Sequence, residues 1–230
     1  MKATTKLSSQ ERRAAIIEAV RRVFAEKGFH GTTTRELAEA AGVSEALLFK
    51  HFPNKEALYS AMQFSCCDER DEKLEQLKGL EPSASTLVLV VHWLVSRIVS
   101  GCASRDGEQA ILTRLMLHSL GEDGEFARLL LGRRLASDWI PKVGECLRAA
   151  ISAGDAVAGP VRLDLHGWFA HHLAVMIAMH LRPAKPVVDY GVPREKVVEQ
   201  VVWFILRGMG LKETVIKRHY NPKALAWFGS

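Results

Sequence analysis

Two short, individually capped helices set back to back over residues 33–52 constrain this chain more than anything else in it. Thr33-x-x-Glu36 is a capping box: the Thr hydroxyl accepts the N–H three residues on, and the Glu carboxylate answers the N–H of the cap itself. Ala41-Gly42-Val43 then interrupts the pattern. Gly42 supplies the positive φ that a tight turn between helices needs. Ser44 caps the next helix, which runs to about His51, and Pro53-Asn54 ends it, with Asn54 capping a fourth. Helices this short are marginal alone, so they must pack on a longer one. Ser8-x-x-Glu11 opens that helix and Lys27-Gly28 closes it. Its stripe of Ile16, Val20, Val23 and Phe24 meets Val43, Leu48 and Phe52, while Ala38 and Ala46 are small where helices approach. The result is a three-helix unit of helix-turn-helix type.

Beyond residue 52 the apolar positions keep helical spacing almost everywhere and strand signals are scarce. Helices are expected over about 54–77, 85–102, 108–120, 125–152, 162–181 and 194–209, with Pro141 kinking or splitting the fourth of these. Residues 212–230 follow no clear pattern. The fold class is therefore all-α, about nine helices in all, divided into a helix-turn-helix domain (1–55) and a larger helical bundle (56–230). With 230 residues, 48 % of them hydrophobic, the chain can bury a substantial core.

Composition excludes more than it selects. Cys66, Cys67, Cys102 and Cys146 show no Cys-x-x-Cys spacing, so neither a zinc site nor a redox motif is signalled. The N-terminus lacks a secretory apolar segment. The longest apolar run singled out, Leu173–Met179, meets His180 and Arg182 at once, so no membrane partner and a cytoplasmic location are expected. There is no Gly-x-Ser-x-Gly, no phosphate-cradling glycine loop and no His-Glu-x-x-His, which argues against an enzyme, and no cofactor is implied. A net charge of +5 permits a nucleic-acid partner without requiring one.

The outward side chains of the short helices carry the functional signal. Thr33 and Thr34 place hydroxyls beside the positive end of the second helix, an arrangement suited to phosphate, and Arg35 follows. The third helix turns Glu45, Leu47, Phe49, Lys50 and His51 outward or half outward. Lys55 lies in the first turn of the fourth helix, where a cation opposes the dipole unless a phosphate is near; a solvated lysine offset by Glu56 is the plainer alternative.

Phe24, Gly28, Gly31-Thr32-Thr33, Leu37-Ala38, Ala41-Gly42-Val43-Ser44, Leu48-Phe49, His51-Phe52, Asn54-Lys55-Glu56 and Leu58 together resemble the TetR family of transcriptional regulators over about the first sixty residues. The resemblance implies a dimer that binds a palindromic double-stranded DNA operator, most often as a repressor, and is released by a small-molecule effector. By the same resemblance, Thr33, Thr34, His51 and Lys55 contact phosphates and Arg35 reads a base, while Ser44, Glu45, Ala46, Leu47, Phe49 and Lys50 belong to the recognition-helix surface. Phe49 stands where the family usually has Tyr, which removes a phosphate hydrogen bond and leaves a ring for sugar or a thymine methyl. Leu47 replaces a small polar residue, so a base contact there is apolar. Glu45 repels phosphate unless it accepts from cytosine N4 or pairs with a neighbour. The competing reading is a helical interaction protein that has lost DNA binding.

Two later helices are apolar on more than one face, which suits elements that serve a core and a subunit interface together. In TetR-like proteins the last two long helices build the dimer. Leu165, Phe169, Leu173, Val198, Val202, Ile205 and Met209 are the expected interface. Trp93, Arg97, Met116, Phe126, Trp139, Trp168, His172 and Met176 are candidates for a pocket taking an apolar or aromatic effector, with plain core packing as the alternative. Arg97 would meet an acidic ligand or a surface carboxylate. His166, His171, His172 and His180 share one helix without the i, i+4 spacing of a helical metal site, so no metal is expected; His171 and His172 suit a dimer seam equally well.

Overall fold

The computed structural model describes residues 7–68, 72–101 and 107–225. Helices run in the order α1 (Ser9–Lys27), α2 (Thr34–Ala40), α3 (Glu45–His51), α4 (Lys55–Asp68), α5 (Glu72–Lys78), α6 (Ala84–Gly101), α7 (Glu108–Gly121) and α8 (Glu125–Leu131). A π-helical segment (Gly132–Trp139) precedes α9 (Ile140–Ser152), α10 (Leu163–Leu181), α11 (Arg194–Gly208), α12 (Glu213–His219) and α13 (Pro222–Leu225). The described residues form no strand, only an isolated bridge between Ala156 and Leu211. The chain is all-α, as its periodicity predicts.

The local signals act where they stand. Ser8 and Glu11 close their box at the start of α1, and Thr33 and Glu36 close theirs at α2. Ser44 Oγ accepts from Leu47 N at 3.2 Å, and Asn54 Oδ1 accepts from Ala57 N at 2.8 Å. Gly28 ends α1 at φ 70° and Gly42 turns the chain between α2 and α3 at φ 63°, conformations that cost a side chain dearly.

The chain divides into two compact units. The first gathers α1–α4 with residues 111–131. Its core holds Ile16, Val20, Phe24, Leu37, Leu48, Phe52 and Leu58 together with Leu112, Leu115 and Phe126. Burial of each large side chain stabilises the unit by about 1.5–3 kcal/mol. The expected boundary after residue 55 falls at the first residue of α4, which packs on α1 and α8 inside this unit.

In the second unit α6 is the axis, packed against α9, α10, α11 and α12. It is long and apolar enough to span a bilayer, which Leu173–Met179 is not, but 67 % of it is buried among those helices. Pro141 explains the interrupted stretch before α9. A continuous helix would drive its ring against the carbonyl four residues back and leave a bond unmade. The chain instead widens into the π-helical turn and restarts with Pro141 in the first turn of α9, where proline is tolerated. The tail also takes shape. Val215 and Ile216 of α12 are buried, and Tyr220 Oη lies 3.5 Å from His92 Nδ1 on α6. His92 Nε2 is 3.3 Å from the Leu225 carbonyl and 3.4 Å from Ser96 Oγ.

Candidate nucleic-acid interface

Successive residues of a helix step 100° around its axis, so burial fixes which arc of α3 faces outward. Leu48 and Phe52 are buried and Leu47 and His51 half-buried. Glu45, Ala46, Phe49 and Lys50 are exposed, Phe49 to 42 %. Leu47 therefore sits at the edge of the arc, not at its centre, because the step from Leu48 carries it back toward the core.

The polar groups around this arc hold one another. Thr34 Oγ1 donates to Glu45 Oε2 at 2.9 Å, and Arg35 Nε donates to Glu39 Oε1 at 2.9 Å. Glu45 is thus paired with a neighbour, the second of the two outcomes its charge allows. The Thr33 hydroxyl is inside the capping box, accepting from Glu36 N at 3.3 Å and donating to Glu36 Oε2 at 2.9 Å. Lys27 also bonds Glu36, and with the Thr33 bonds it holds that carboxyl down to about 2. Ser44 spends its hydroxyl on the Leu47 N–H.

Lys55 departs furthest from expectation. Its ammonium donates to the carbonyls of Phe29 and Thr32, both at 2.8 Å, and lies 4.3 Å from the Phe29 ring. Two of its three hydrogens clamp the loop between α1 and α2, whose carbonyls lie outside any helix. Arg13, which sequence reasoning passed over, does similar work on α3. Its guanidinium bonds the His51 carbonyl and stacks 4.0 Å above the Phe52 ring. The available signal was its register, on the same side of α1 as Ile16, Val20 and Phe24.

The second unit sorts the remaining candidates. Val198, Val202, Ile205 and Met209, expected at a subunit interface, are buried in the chain's own core at 7, 0, 6 and 4 % exposure. The first three lie on α11, which packs on α6, and Met209 caps its end. Phe204 of the same helix stays 70 % exposed, and Phe169 of α10 is 56 % exposed, with Leu165 and Leu173 half-buried. A groove of about 320 Å³ joins Phe169, Leu173 and Phe204. Of the pocket candidates, Met116 and Phe126 belong to the core of the first unit. Trp93 and Trp139 are buried in the second, and Trp168 packs against the same core. His172, Met176 and Arg97 face outward, and Arg97 lies 5.6 Å above the Trp93 ring. His171, weighed in the sequence for a metal site and a dimer seam, was not among the pocket candidates. It is 6 % exposed with no partner on Nδ1 among the described residues, and burial, then its neighbour His172, pushes its pKa down to about 4. Trp139 Nε1 is likewise buried without an acceptor. His166 and His180 instead lie 3.0 and 2.8 Å from the carbonyls four residues before them. Cys102 and the Cys67 side chain lie outside the described residues.

These features define an all-helical protein with an N-terminal helix-turn-helix unit. Residues 16–62 match the family model of the bacterial regulatory proteins of the tetR family. Over those residues the chain is similar to the TetR family. The HTH-type transcriptional regulator YvkB of Bacillus subtilis is 41 % identical over 64 residues, 28 % of this chain and 34 % of that protein. The HTH-type transcriptional repressor AcnR of Corynebacterium efficiens is 48 % identical over 50 residues, 22 % of this chain and 27 % of AcnR. The matched segment thus spans about a third or less of these relatives. Similarity of fold extends further: the crystal structure of AibR in complex with isovaleryl coenzyme A and operator DNA superposes with a TM-score of 0.62 at 19 % identity, over 84 % of this chain and 97 % of AibR.

Proposed function

We propose that this protein is a transcriptional regulator, a repressor, that binds a palindromic operator as a homodimer in the cytoplasm and is released by a small apolar or aromatic effector. The observation that carries the reading is α3 itself: a capped helix held on α1 and α2, with Ala46, Phe49 and Lys50 outward and Arg35 beside it. Arg35, Lys50 and Lys55, whose ammonium keeps a third hydrogen, supply the positive charge that DNA phosphates require. Glu45, which with Phe49 favours a protein without DNA binding, is turned toward Thr34, whose hydroxyl it accepts from at 2.9 Å.

Self-association through α10 and α11 is supported by Phe169 and Phe204, large apolar side chains left in water next to each other across one groove. Two-fold pairing would present two reading helices to a palindrome. Effector binding in the second unit is supported by Trp93, Trp139 and Trp168 around its core and by the unpartnered nitrogens of Trp139 and His171, which offer hydrogen bonds to a polar atom on an otherwise apolar molecule. The complex of AibR with an acyl coenzyme A and operator DNA supports the view that this fold can serve both ligands.

A mobility-shift titration of the full chain against duplex DNA flanking its own gene tests the reading. A discrete shifted species at low salt, weakening steeply toward 200 mM, is the expected outcome. Absence of any shift at low salt overturns it.

A further inference from the structure

We propose that Phe49 is a specificity-determining residue that reads thymine through its C5-methyl group; this rests on the DNA-reading function proposed above. Three observations converge on it. The outward arc of α3 consists of Glu45, Ala46, Phe49 and Lys50, and Phe49 is its one large apolar member. The polar groups on the near side are engaged with each other, Glu45 with Thr34 and Arg35 with Glu39, so the arc presents a ring and the Ala46 methyl where a base edge would lie. Phe49 also keeps 42 % of its surface in water, although the neighbouring Leu48 and Phe52 are 2 and 1 % exposed. Phe49 thus points away from the core that its neighbours enter.

The chemistry of the major groove then selects the target. Guanine, adenine and cytosine present only hydrogen-bond donors and acceptors there, and thymine alone adds an apolar methyl. A phenyl ring can accept no proton and donate none, so it gains nothing from the first three edges and desolvates them at a cost. Against thymine it removes a methyl and part of its own ring from water. Lys50, 100° further round, lies where it can reach a phosphate flanking the same base. The ring thus discriminates and the neighbouring cation anchors.

Deoxyuridine differs from thymidine by that methyl alone and supplies the test. The full chain is used to select its preferred duplex from a random-sequence library. Each thymine of the selected site is then replaced singly by deoxyuridine and affinity is measured by fluorescence anisotropy. At least one thymine per half-site should lose about fourfold in affinity, the equivalent of one buried methyl. Phe49→Ala should bind the same duplex with that loss abolished. Phe49→Gln, which keeps bulk and sheds apolarity, should abolish it too, and Phe49→Tyr should retain it. A wild-type protein that is indifferent to every replacement overturns the inference while leaving DNA reading intact. So does an undiminished deoxyuridine effect in either Phe49→Ala or Phe49→Gln, because another residue then touches the methyl. A chain that enriches no sequence at all overturns the DNA-reading function, and the inference falls with it.

Discussion

Helices α3 and α11 each leave a phenylalanine in water, and their surroundings differ. Phe49 shares a seven-residue helix with Glu45 and Lys50, and polar side chains border it on both sides. Phe204 stands on a fifteen-residue helix whose other side is Val197, Val198, Val201, Val202, Ile205 and Leu206, all buried. Its neighbours across the groove are Phe169 and Leu173. An isolated apolar group between charges suits a partner that is mostly polar, with one apolar spot to match. An apolar group continued by others suits a partner that is itself apolar, such as a second copy of the same face. Exposure of one residue type therefore says little until its neighbours are counted.

The largest effect that sharpens this comparison comes from charging the two sides of α11 separately. Val202→Asp places an uncompensated carboxylate in a site with no exposure and should cost more than about 4 kcal/mol, collapsing the second unit in a thermal melt followed by circular dichroism. Phe204→Asp should lower that melt far less, by no more than the loss of association, and shift sedimentation toward the monomer. Similar melting losses in the two variants would break the distinction between a core side and a contact side.

Acid separates the units next. The His171 pKa falls from 6.5 to about 4 on folding, so the unfolded chain binds the extra proton between those values. The stability it protects is complete above pH 6.5 and is lost as pH falls through about 4, a change of about 3 kcal/mol by linkage. His171→Gln should flatten urea-unfolding stability over that window. In the first unit the Glu36 carboxyl is held from 4.5 down to about 2. Its contribution is present above pH 4.5 and disappears as pH drops through about 2, and Glu36→Gln should remove that lower step alone.

Smaller effects follow from the caps and the surface. Thr33→Ala deletes the hydroxyl that opens α2 and should cost about 1 kcal/mol, read as a lower melting midpoint and weaker DNA binding at unchanged salt dependence. Lys50→Ala should scarcely alter stability. It should lower the slope of log affinity against log salt by about 1, whereas Lys196→Ala on α11 should leave that slope unchanged.

Much of the first unit was legible in the sequence. The boxes at Ser8 and Thr33 and the caps at Ser44 and Asn54 were read as such and stand where expected. So do the turns at Gly28 and Gly42. The expected helix over 54–77 is helical from Lys55 to Asp68 and from Glu72 to its end, the described residues, and that over 125–152 reads as α8, a π-helical segment and α9. In the candidate site, the outward or half-outward set on α3 was legible, with Leu47 and His51 its half-buried members. The two bonds that redefine Lys55 were not, since their acceptors lie 26 and 23 residues away.

What this sequence determined alone is everything governed by neighbours within one helical turn: where helices start and stop, where glycine turns the chain, and which short helices need support. A cap bond closes over three residues and depends on nothing further away. Only the tertiary structure decided which flank of α11 is core, that the Lys55 ammonium is spent on loop carbonyls, and that Tyr220 brings the tail to His92 on α6. Burial of apolar surface has no direction of its own. A helix apolar on several sides satisfies it in several orientations, and the choice among them falls to the partners that happen to arrive from elsewhere in the chain.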